Sequence, residues 1–387
     1  MECLFADLHV HIGRTKNGDP VKISASKHLT LQEVIHHAVK VKGMDILGII
    51  DCHVPAVLDE IQELIFRGEL EEHADGGLMY QNGTVILGSE IEIYDDHCSG
   101  PIHVLVYFPY FNRMKHFSDW LSERTTNINL SSQRYYGTAT ELQTKVNELG
   151  GLFVIAHAFP PFKSMYGKGV QRSMKEVFDP DLIDAIELGL SADTKMADQI
   201  SELHRFTYLS NSDAHSLEKI GREYQCFQLK EDSFKEIGLA LKGLEGRKIT
   251  RNFGLHPQLG KYYETRCVKC GTSYQITPVK CQTCEKGRIV KGVVNRVKEL
   301  GTTAPFDSKE RPAYIHHVPL EYIPGIGPHT LAKLRKQFKT DMNIIHNVEE
   351  EELERYLSPK IVESIIRSRS GELAFEPGGG GVYGRLK

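Results

Sequence analysis

Short apolar runs recur over the first 255 residues, and stretches with helical periodicity separate them. The apolar runs are CLFADLHV, DILGIID, TVILGSE, IHVLVYF, GLFVIAHA, DAIELGL and FTYLSNSD. Among the helical stretches, TLQEVIHHAVKVKG starts with the capping-box residues Thr30 and Glu33 and ends at Gly43. Strands that alternate with helices predict an α/β fold with a mainly parallel sheet, and about seven strands favour a barrel over an open sheet.

The pattern changes after Pro257. A cysteine-rich stretch precedes a segment without clear periodicity, a helical pattern from Pro319 to about Ser370, and the Gly-rich end EPGGGGVYGRLK. The predicted parts are a barrel domain at 1–255, a cysteine module at 256–297, a linker at 298–318, a small all-α domain at 319–371 and a tail at 372–387.

The composition, with 40% hydrophobic and 25% charged residues, is that of a globular protein. The N-terminus lacks the basic and apolar regions of a signal peptide, and no apolar run is long enough for a membrane span. We therefore expect a soluble, cytoplasmic protein without a membrane partner. Because thiols stay reduced there, the scattered residues Cys3, Cys52, Cys98 and Cys226 are expected to be small buried side chains.

Charge is distributed unevenly along the chain. Residues 1–255 carry 26 Lys and Arg against 36 Asp and Glu, a net −10, whereas residues 256–340 carry 15 against 6, a net +9. A basic segment after an acidic body predicts a polyanion-binding module attached to a domain with another task.

Potential metal ligands stand in pairs, two positions apart, at the ends of apolar runs. The pairs are His9 and His11, Asp51 and His53, and Asp213 and His215. In a strand, residues i and i+2 point to the same face. Glu90 and His157 end two further runs. Because the carboxyl ends of barrel strands share one rim, where active sites are built, these side chains are expected to converge.

His103 starts a strand rather than ending one. The preceding YDDHCSGP is turn-like, so this strand is expected to return antiparallel and to bring His103 beside Glu90. Nine converging ligands exceed the four of a closed zinc site and predict two or three metals with a bridging carboxylate. Glu90 is the best candidate for the bridge, and Glu92, on the same face, is the alternative.

This order of motifs resembles the polymerase and histidinol phosphatase (PHP) superfamily. The resemblance implies a distorted (β/α)7 barrel with up to three metals. It implies a first metal on His9, His11, Glu90 and Asp213, a second on Glu90, His103 and His157, and a third on His53 and His215. Many members have a further ligand shortly after the first H-x-H; GRTKNGDP offers no histidine, so the third site would be weaker or completed by Asp51.

Clustered divalent ions, whether Zn, Mn or Mg, lower the pKa of bound water and neutralise phosphoryl charge, so the motifs predict phosphoester hydrolysis. The predicted catalytic residues are His9, His11, Glu90 and Asp213. The loop after His157 is either a solvated loop or a loop that contacts phosphate. It carries the basic residues Lys163, Lys168 and Arg172, and the aromatic residues Phe159, Phe162 and Tyr166 that are available for stacking.

Two CxxC pairs lie in RCVKCGTSYQITPVKCQTCEKGR, at Cys267 and Cys270 and at Cys281 and Cys284. Together two such knuckles close a tetrahedral S4 site without an open position, which predicts one structural zinc. The surrounding lysines and arginines indicate contact with a nucleic-acid backbone.

The segment VPLEYIPGIGPHTLAKLRKQF resembles a helix-hairpin-helix DNA-binding motif. Gly325 and Gly327 would let the backbone approach a phosphate, Pro328 would open the next helix, and Ala332 would pack inside. Lys333, Arg335 and Lys336 add positive charge. Contacts of this kind recognise the DNA backbone and not its sequence.

The order of these three parts resembles the endonuclease Q family over essentially the whole chain. The resemblance implies cleavage of DNA on the 5′ side of deaminated bases (hypoxanthine, uracil, xanthine) and at abasic sites, with 3′-hydroxyl and 5′-phosphate ends. Archaeal members use a C-terminal sliding-clamp motif, which the Gly-rich tail does not plainly contain. Two alternatives remain: a small-molecule phosphatase of the histidinol-phosphate kind, and a non-catalytic DNA-binding protein.

Overall fold

The computed structural model describes residues 3–302, 311–373, 375–376 and 385–386. The strands are β1 (Cys3–Val10), β2 (Ile46–Ile49), β3 (Glu71–Glu72), β4 (Leu78–Tyr80), β5 (Gly83–Ile93), β6 (Ile102–Phe108), β7 (Arg134–Tyr135), β8 (Leu152–Ile155), β9 (Ala185–Glu187), β10 (Thr207–Leu209), β11 (Tyr224–Gln228), β12 (Lys248–Gly254), β13 (Thr265–Cys267), β14 (Ser273–Tyr274), β15 (Ile289–Val290), β16 (Ala313–His316), β17 (Phe375–Glu376) and β18 (Arg385–Leu386). The helices are α1 (Leu31–His36), α2 (Pro55–Phe66), α3 (Phe111–Ser122), α4 (Ala139–Glu148), α5 (Thr194–Ala197), α6 (Phe234–Leu241), α7 (Val293–Leu300), α8 (Pro328–Phe338), α9 (Asp341–His346), α10 (Glu350–Leu353) and α11 (Pro359–Ser370).

Seven strands form the curled sheet of the barrel in the order β10-β9-β8-β6-β5-β2-β1. All run parallel except β6, which is antiparallel to both β5 and β8. A backbone bridge between Val10 and Ala214 joins the end of β1 to the segment after β10. The predicted α/β fold and distorted (β/α)7 barrel are confirmed, and so is the antiparallel return that places His103 opposite Glu92, two residues from Glu90.

The sheet continues past the barrel through β11, β12 and β16. β16 lies in the segment predicted as a linker, yet it pairs in parallel with β12, where Phe253 is opposite Ile315. The part of this segment at 303–310 lies outside the described residues. The predicted domain boundaries stay a prediction.

Alternate residues of the barrel strands belong to two apolar clusters, as the period of two in a strand requires. Leu47 and Ile49 of β2 pack with the surrounding helices, in the cluster that includes Val57 of α2. Ile46 of the same strand belongs to a second cluster, which α6 completes with Ile237. Both faces of β2 are therefore covered, which explains why this strand has no polar alternation.

Two local expectations are corrected by the structure. Thr30 precedes α1, but its side chain makes no cap hydrogen bond, while the helix continues as a π-helix to Lys42 and ends at Gly43 with a φ of 83°. Cys3 and Cys226 form a disulfide between the antiparallel strands β1 and β11 rather than remaining separate thiols. Strand pairing brings these two cysteines together although more than half of the chain separates them.

The cysteine module consists of the three-stranded sheet β14-β13-β15 followed by α7. Helices α8 to α11 and the segment 319–327 before them are called the helical domain here, and His346 of α9 stacks on Phe5 of β1 with ring centroids 4.6 Å apart. No helix among the described residues is long and apolar enough to cross a membrane. The expectation about a clamp motif concerns the C-terminal tail, and residues 377–384 of this tail lie outside the described residues.

Candidate metal centre

The ends of the barrel strands bring the first histidine pair next to the last Asp-x-His pair. His11 donates its backbone N–H to the carbonyl of Ala214, and Ala214 donates to the carbonyl of His9, each over 3.2 Å. These two hydrogen bonds place Asp213 and His215 directly beside both imidazoles. His9 and His11 are fully buried.

In this first group, the ligand atoms of His9, His11 and Glu90 all lie within 4.8 Å of one another, and Asp213 lies beside the two histidines. His9 Nε2 lies 3.4 Å from Asp213 Oδ1 and 3.6 Å from Glu90 Oε1, and His11 Nε2 lies 3.5 Å from Asp213 Oδ1. Ligand atoms about 2.1 Å from one ion lie about 3.4 Å apart in a tetrahedron. The Nε2 atoms of both histidines are buried and make no hydrogen bond among the described residues. These spacings and orphaned nitrogens fit a divalent metal ion.

Glu90 connects the first group to a second one. Its Oε1 atom lies 2.7 Å from His103 Nδ1 and 3.4 Å from His157 Nε2, while its Oε2 atom lies 3.6 Å from His11 Nε2. Burial would raise the pKa of this carboxyl, but His103 and Lys22 outweigh burial and hold the pKa well below its usual range. Glu90 is therefore an ionised carboxylate between two ligand groups, whereas the alternative bridge, Glu92, contacts only His103 of these ligands, at 3.6 Å.

A third group consists of His11, Asp213 and His215, whose ligand atoms lie within 4.8 Å of one another. This composition differs from the expected third site, since His53 is absent from it. His53 is buried, and its Nδ1 atom lies 2.7 Å from Ser89 Oγ. Burial lowers the pKa of His53 and keeps its imidazole neutral.

Asp51 is also absent from the ligand groups. Its Oδ2 atom accepts hydrogen bonds from His11 Nδ1, over 3.1 Å, and from the backbone N–H of Ile12, over 2.7 Å. β2 ends at Ile49, Asp51 forms an isolated bridge with Ser89, and His53 lies in the turn that follows, so the two side chains do not share one face of a strand. In this arrangement Asp51 orients the imidazole of His11, a candidate metal ligand, and is not itself in a ligand group.

Glu187 and Lys22 belong to the centre, although neither was among the residues predicted from the sequence. Glu187, at the end of β9, accepts a hydrogen bond from His9 Nδ1 over 3.0 Å and is fully buried. Lys22 donates to Glu90 Oε2 over 2.8 Å and contacts Ser132. A usable signal was present for Glu187, because a carboxylate that ends an apolar run has the same position as Glu90. Lys22 lies in a loop without any recognisable pattern.

A cavity of about 610 Å³ opens beside the metal ligands. It is lined by Lys22, Glu90, Asp213 and His215, by Phe162 and Lys163, by Lys219 and Arg222, and, from the cysteine module, by Lys261 and Tyr262. The rings of Phe162 and Tyr262 meet edge to face at 5.4 Å, and the Arg288 guanidinium lies 5.4 Å from the centre of the Phe162 ring. The barrel and the cysteine module therefore build one side of this cavity together.

The loop after His157 divides into buried and exposed side chains. Phe159 and Tyr166 are buried and stack on each other, so the expectation that they are available for stacking on a base is wrong. Lys163 is half-exposed and pairs with Glu92 at 2.9 Å. Lys168 and Arg172 are exposed but do not line the cavity. Only Phe162 and Lys163 of the predicted loop residues reach the candidate centre.

The four cysteines of the module converge as their spacing predicts. Cys267 Sγ lies 3.7 Å from Cys284 Sγ, and Cys270 Sγ lies 3.5 Å from Cys281 Sγ. A zinc ion with four bonds of about 2.3 Å has sulfurs about 3.8 Å apart. A hydrogen bond from the Tyr274 hydroxyl lowers the pKa of Cys281 to about 5, which favours the thiolate that a metal requires. The cluster fits zinc in geometry and in chemistry.

The two glycines of the predicted helix-hairpin-helix motif lie directly before α8, and the motif itself stays a prediction. Gly325 has a φ of +99°, and Gly327 precedes α8, in which Pro328 is the first residue. Ala332 is exposed, contrary to expectation, and Leu331 and Leu334 pack inside instead.

The basic residues of α8 differ in their contacts. Lys333 and Lys336 are exposed, which leaves both ammonium groups at the surface of the helix. Arg335 forms two hydrogen bonds to the buried Asp341, over 2.7 and 2.8 Å. Lys333 and Lys336 are therefore the residues of this set that remain suited to phosphate contact.

Comparisons with known proteins agree with this arrangement. Uncharacterized protein YqxK of Bacillus subtilis is 51% identical over 387 residues and is covered completely. Uncharacterized protein MJ0043 of Methanocaldococcus jannaschii is 37% identical over 257 residues, which are 59% of this chain and 31% of that protein. No family model matches the chain.

Two solved structures match the whole chain. The lesion-specific endonuclease PfuEndoQ from Pyrococcus furiosus is 32% identical, with a TM-score of 0.86 and 95% of that chain covered. An endonuclease Q in complex with a 27-mer duplex substrate, with an abasic lesion at its active site, is 31% identical, with a TM-score of 0.84 and 96% covered. Because identity, coverage and fold agree from end to end, the chain belongs to the endonuclease Q family.

Proposed function

We propose that this protein is a DNA repair endonuclease. It hydrolyses the phosphodiester bond on the 5′ side of hypoxanthine, uracil, xanthine and abasic sites and leaves 3′-hydroxyl and 5′-phosphate ends. The observation that carries the proposal is the match over the whole chain to an endonuclease Q bound to a duplex with an abasic lesion. The match extends through the cysteine module and the helical domain, which a small-molecule phosphatase would not need.

The first ligand group supports the chemistry of this proposal. His9, His11, Asp213 and Glu90 are the residues that would hold a divalent ion, and Glu90 would share it with the second group of His103 and His157. Zn, Mn or Mg at these groups would lower the pKa of water and neutralise the charge of a phosphoryl group. The third group, His11, Asp213 and His215, adjoins these two, so all the histidine and carboxylate groups found among the described residues lie in one place.

Three further side chains of this chain prepare the site. Glu187 and Asp51 accept hydrogen bonds from the Nδ1 atoms of His9 and His11, which fixes the ring orientation and leaves each Nε2 directed at the ligand point. Lys22, which pairs with Glu90, also lines the same cavity. Its positive charge would attract the phosphate of a bound phosphodiester.

Selectivity for a damaged base must come from the base, because every nucleotide has a phosphodiester. A stacked base hides its Watson–Crick edge, so we infer that the damaged nucleotide is flipped out of the duplex. The cavity of about 610 Å³ beside the ligands is large enough for a nucleobase, and Phe162 and Tyr262 supply aromatic faces in its lining. Flipping costs a few kcal/mol, and least where pairing is already poor.

The decisive experiment uses end-labelled duplexes that carry inosine, uracil, an abasic site or no lesion, with Mn, Mg or Zn added to the protein. We expect a single nick on the 5′ side of each lesion and none in the undamaged duplex. The ends are checked by ligation, which requires a 3′-hydroxyl and a 5′-phosphate. Hydrolysis of phosphomonoesters without nicking would support the phosphatase instead, and lesion binding without any cleavage would support the non-catalytic alternative.

A second assay tests flipping in a variant that binds but does not cleave. 2-Aminopurine beside the lesion should gain fluorescence on binding, because unstacking relieves its quenching. Mispaired uracil should be cut faster than uracil paired with adenine, and undamaged mismatches should stay uncut. No gain in fluorescence together with equal cutting of paired and mispaired uracil would exclude flipping.

A further inference from the structure

The loop Ser212–Arg222, here called the ligand loop, carries Asp213 and His215 and has an unusual conformation at its first ligand. Asp213 has a φ of +47°, in the left-handed region that residues other than glycine rarely adopt. Such a conformation persists only where surrounding contacts hold it, and it is frequent at functional sites. Neighbouring side chains must therefore hold the loop so that the carboxylate of Asp213 faces the other metal ligands.

Arg222, at the end of the loop, supplies one such contact. Its Nε atom donates to the carbonyl of Ser212 over 2.8 Å, and its Nη2 atom lies 3.4 Å from the carbonyl of Asp213. Arg222 is buried, at 7% exposure. The guanidinium thus clamps the two carbonyls on either side of the strained turn.

Asp7 of β1 binds both ends of the ligand loop. Its two carboxylate oxygens accept hydrogen bonds from the backbone N–H groups of Ser212, over 3.0 Å, and of Gly221, over 2.9 Å. Asp7 is fully buried. Together with the two backbone hydrogen bonds between Ala214 and the end of β1, these contacts fix residues 212–214 and Gly221 to the barrel.

The middle of the ligand loop is held by the C-terminal helical domain. Lys219 Nζ donates to the hydroxyl of Tyr322 over 3.0 Å and lies 4.5 Å from the centre of the same ring. Lys42 Nζ donates to the carbonyl of Glu218 over 3.0 Å and pairs with the buried Asp341 of α9 at 3.1 Å. The first contact joins the loop directly to the helical domain, and the second joins it indirectly, through Lys42 of the barrel to Asp341 of α9.

We propose that the ligand loop is a positioning element: Arg222 and the helical domain, through Tyr322, hold Asp213 and His215 in place for the metal. The helical domain then contributes to the rate of cleavage and to metal affinity, and not only to DNA affinity. The part about cleavage rests on the proposed function, whereas the part about metal affinity does not.

Replacement of Tyr322 by Leu in the full-length chain tests the proposal, with Tyr356→Leu as the control. Tyr356 lies in the same domain and packs against Phe338, away from the loop. Mn²⁺ affinity is measured without DNA by electron paramagnetic resonance, and cleavage of an abasic duplex is measured in a single turnover with saturating enzyme. Tyr322→Leu should weaken Mn²⁺ binding and slow saturated cleavage by about fivefold each, within the range for remote coupled residues. Tyr356→Leu should change neither.

Arg222→Lys and Arg222→Gln test the role of Arg222 in the same measurements. Lysine keeps the charge but cannot clamp two carbonyls with one planar group, so Mn²⁺ affinity should fall in both variants, and more with Gln. Thermal unfolding shows whether each variant is folded, and Tyr322→Phe, which keeps the ring, provides a milder change. Unchanged Mn²⁺ affinity and unchanged saturated rate in folded Tyr322→Leu would overturn the proposal, even if DNA affinity fell. Weaker Mn²⁺ binding in a protein that cuts no lesion would uphold it and reject only the proposed function.

Discussion

The four-Cys cluster takes all its ligands from one short segment, Cys267 to Cys284, whereas the histidine–carboxylate cluster takes its ligands from strand ends between His9 and His215. In the first cluster, two CxxC knuckles on a small sheet determine the geometry locally. In the second cluster, the geometry depends on the register of the whole barrel. Two groups of side chains that fit a divalent ion are therefore assembled by two different routes.

The two clusters also differ in what surrounds them. The cysteine sulfurs contact one another and two hydroxyl groups, those of Thr272 and Tyr274, with few other side-chain partners. The histidine cluster has carboxylates behind its ligands, with Glu187 behind His9 and Asp51 behind His11. Such partners raise ligand basicity and fix the tautomer, which matters for a centre that performs chemistry and less for one that only holds a fold. The comparison leads to five predictions.

The largest effect is expected for Asp213→Asn in the histidine cluster. Loss of the carboxylate should reduce cleavage by about a thousandfold or more, as removal of a central catalytic group does. Binding of lesion-containing DNA should stay close to wild type. Nicking assays with Mn or Mg, together with fluorescence anisotropy for binding, measure both quantities. Nicking at the wild-type rate would remove Asp213 from the ligand set.

A smaller effect is expected for the carboxylates that accept hydrogen bonds from the candidate histidine ligands. Glu187→Gln should lower metal affinity and cleavage by about 10- to 100-fold, the usual cost of losing a hydrogen-bonded partner of a metal-ligating histidine. Asp51→Asn should act in the same direction through His11. The control is Glu223→Gln, a buried carboxyl outside the ligand groups. Equal losses in all three variants would indicate a general loss of stability instead.

For the cysteine cluster, replacement of Cys267 and Cys270 by Ser should release one zinc per chain and weaken DNA binding by about tenfold at moderate salt, because the basic module no longer presents its charges together. Mn²⁺ binding at the histidine cluster should not change. Native mass spectrometry counts the zinc, and unchanged zinc content would contradict the assignment of the site.

Metal binding at the histidine cluster should depend on pH through His9, a residue type that the cysteine cluster lacks. Burial would lower the pKa of His9, but the carboxylates of Glu187, Asp213 and Glu90 outweigh burial and raise the pKa to about 10. His9 is therefore protonated near neutral pH in the metal-free protein and must lose that proton to bind a metal. Mn²⁺ affinity should rise by about tenfold per pH unit around neutrality. Titration calorimetry in buffers of different ionisation enthalpy detects the proton; its absence would contradict the shift.

The smallest effect is expected for Phe162 of the barrel and Tyr262 of the cysteine module, whose rings meet beside the cavity. Phe162→Ala and Tyr262→Ala should each reduce cleavage at uracil or inosine by about fivefold, since base–aromatic stacking contributes about 1–3 kcal/mol. Affinity for undamaged duplex should change less. Tyr166→Ala is the control, because its ring is buried away from the cavity. Equal losses on damaged and undamaged DNA would mean that these rings do not contact the base.

Much of this molecule follows from the sequence because its signals are local. The spacing of Cys267, Cys270, Cys281 and Cys284 predicts their convergence, since a knuckle needs only its own residues. The alternation of strands and helices predicts the barrel, and the position of His9, Glu90 and His157 at strand ends predicts that they share one rim. These inferences need no knowledge of which strands are neighbours.

Other features depend on which strands are neighbours and where each strand ends, so only the tertiary structure decides them. Asp51 and His53 have the same spacing as the other two pairs, but their side chains contact His11 and Ser89 and belong to none of the ligand groups. Glu187 and Lys22 become part of the centre only because distant segments fold against it. Tyr166 and Phe162 lie four residues apart in one loop, yet one is core and the other lines the cavity. Sequence spacing specifies which residues can share a face, while strand pairing and packing determine what that face meets.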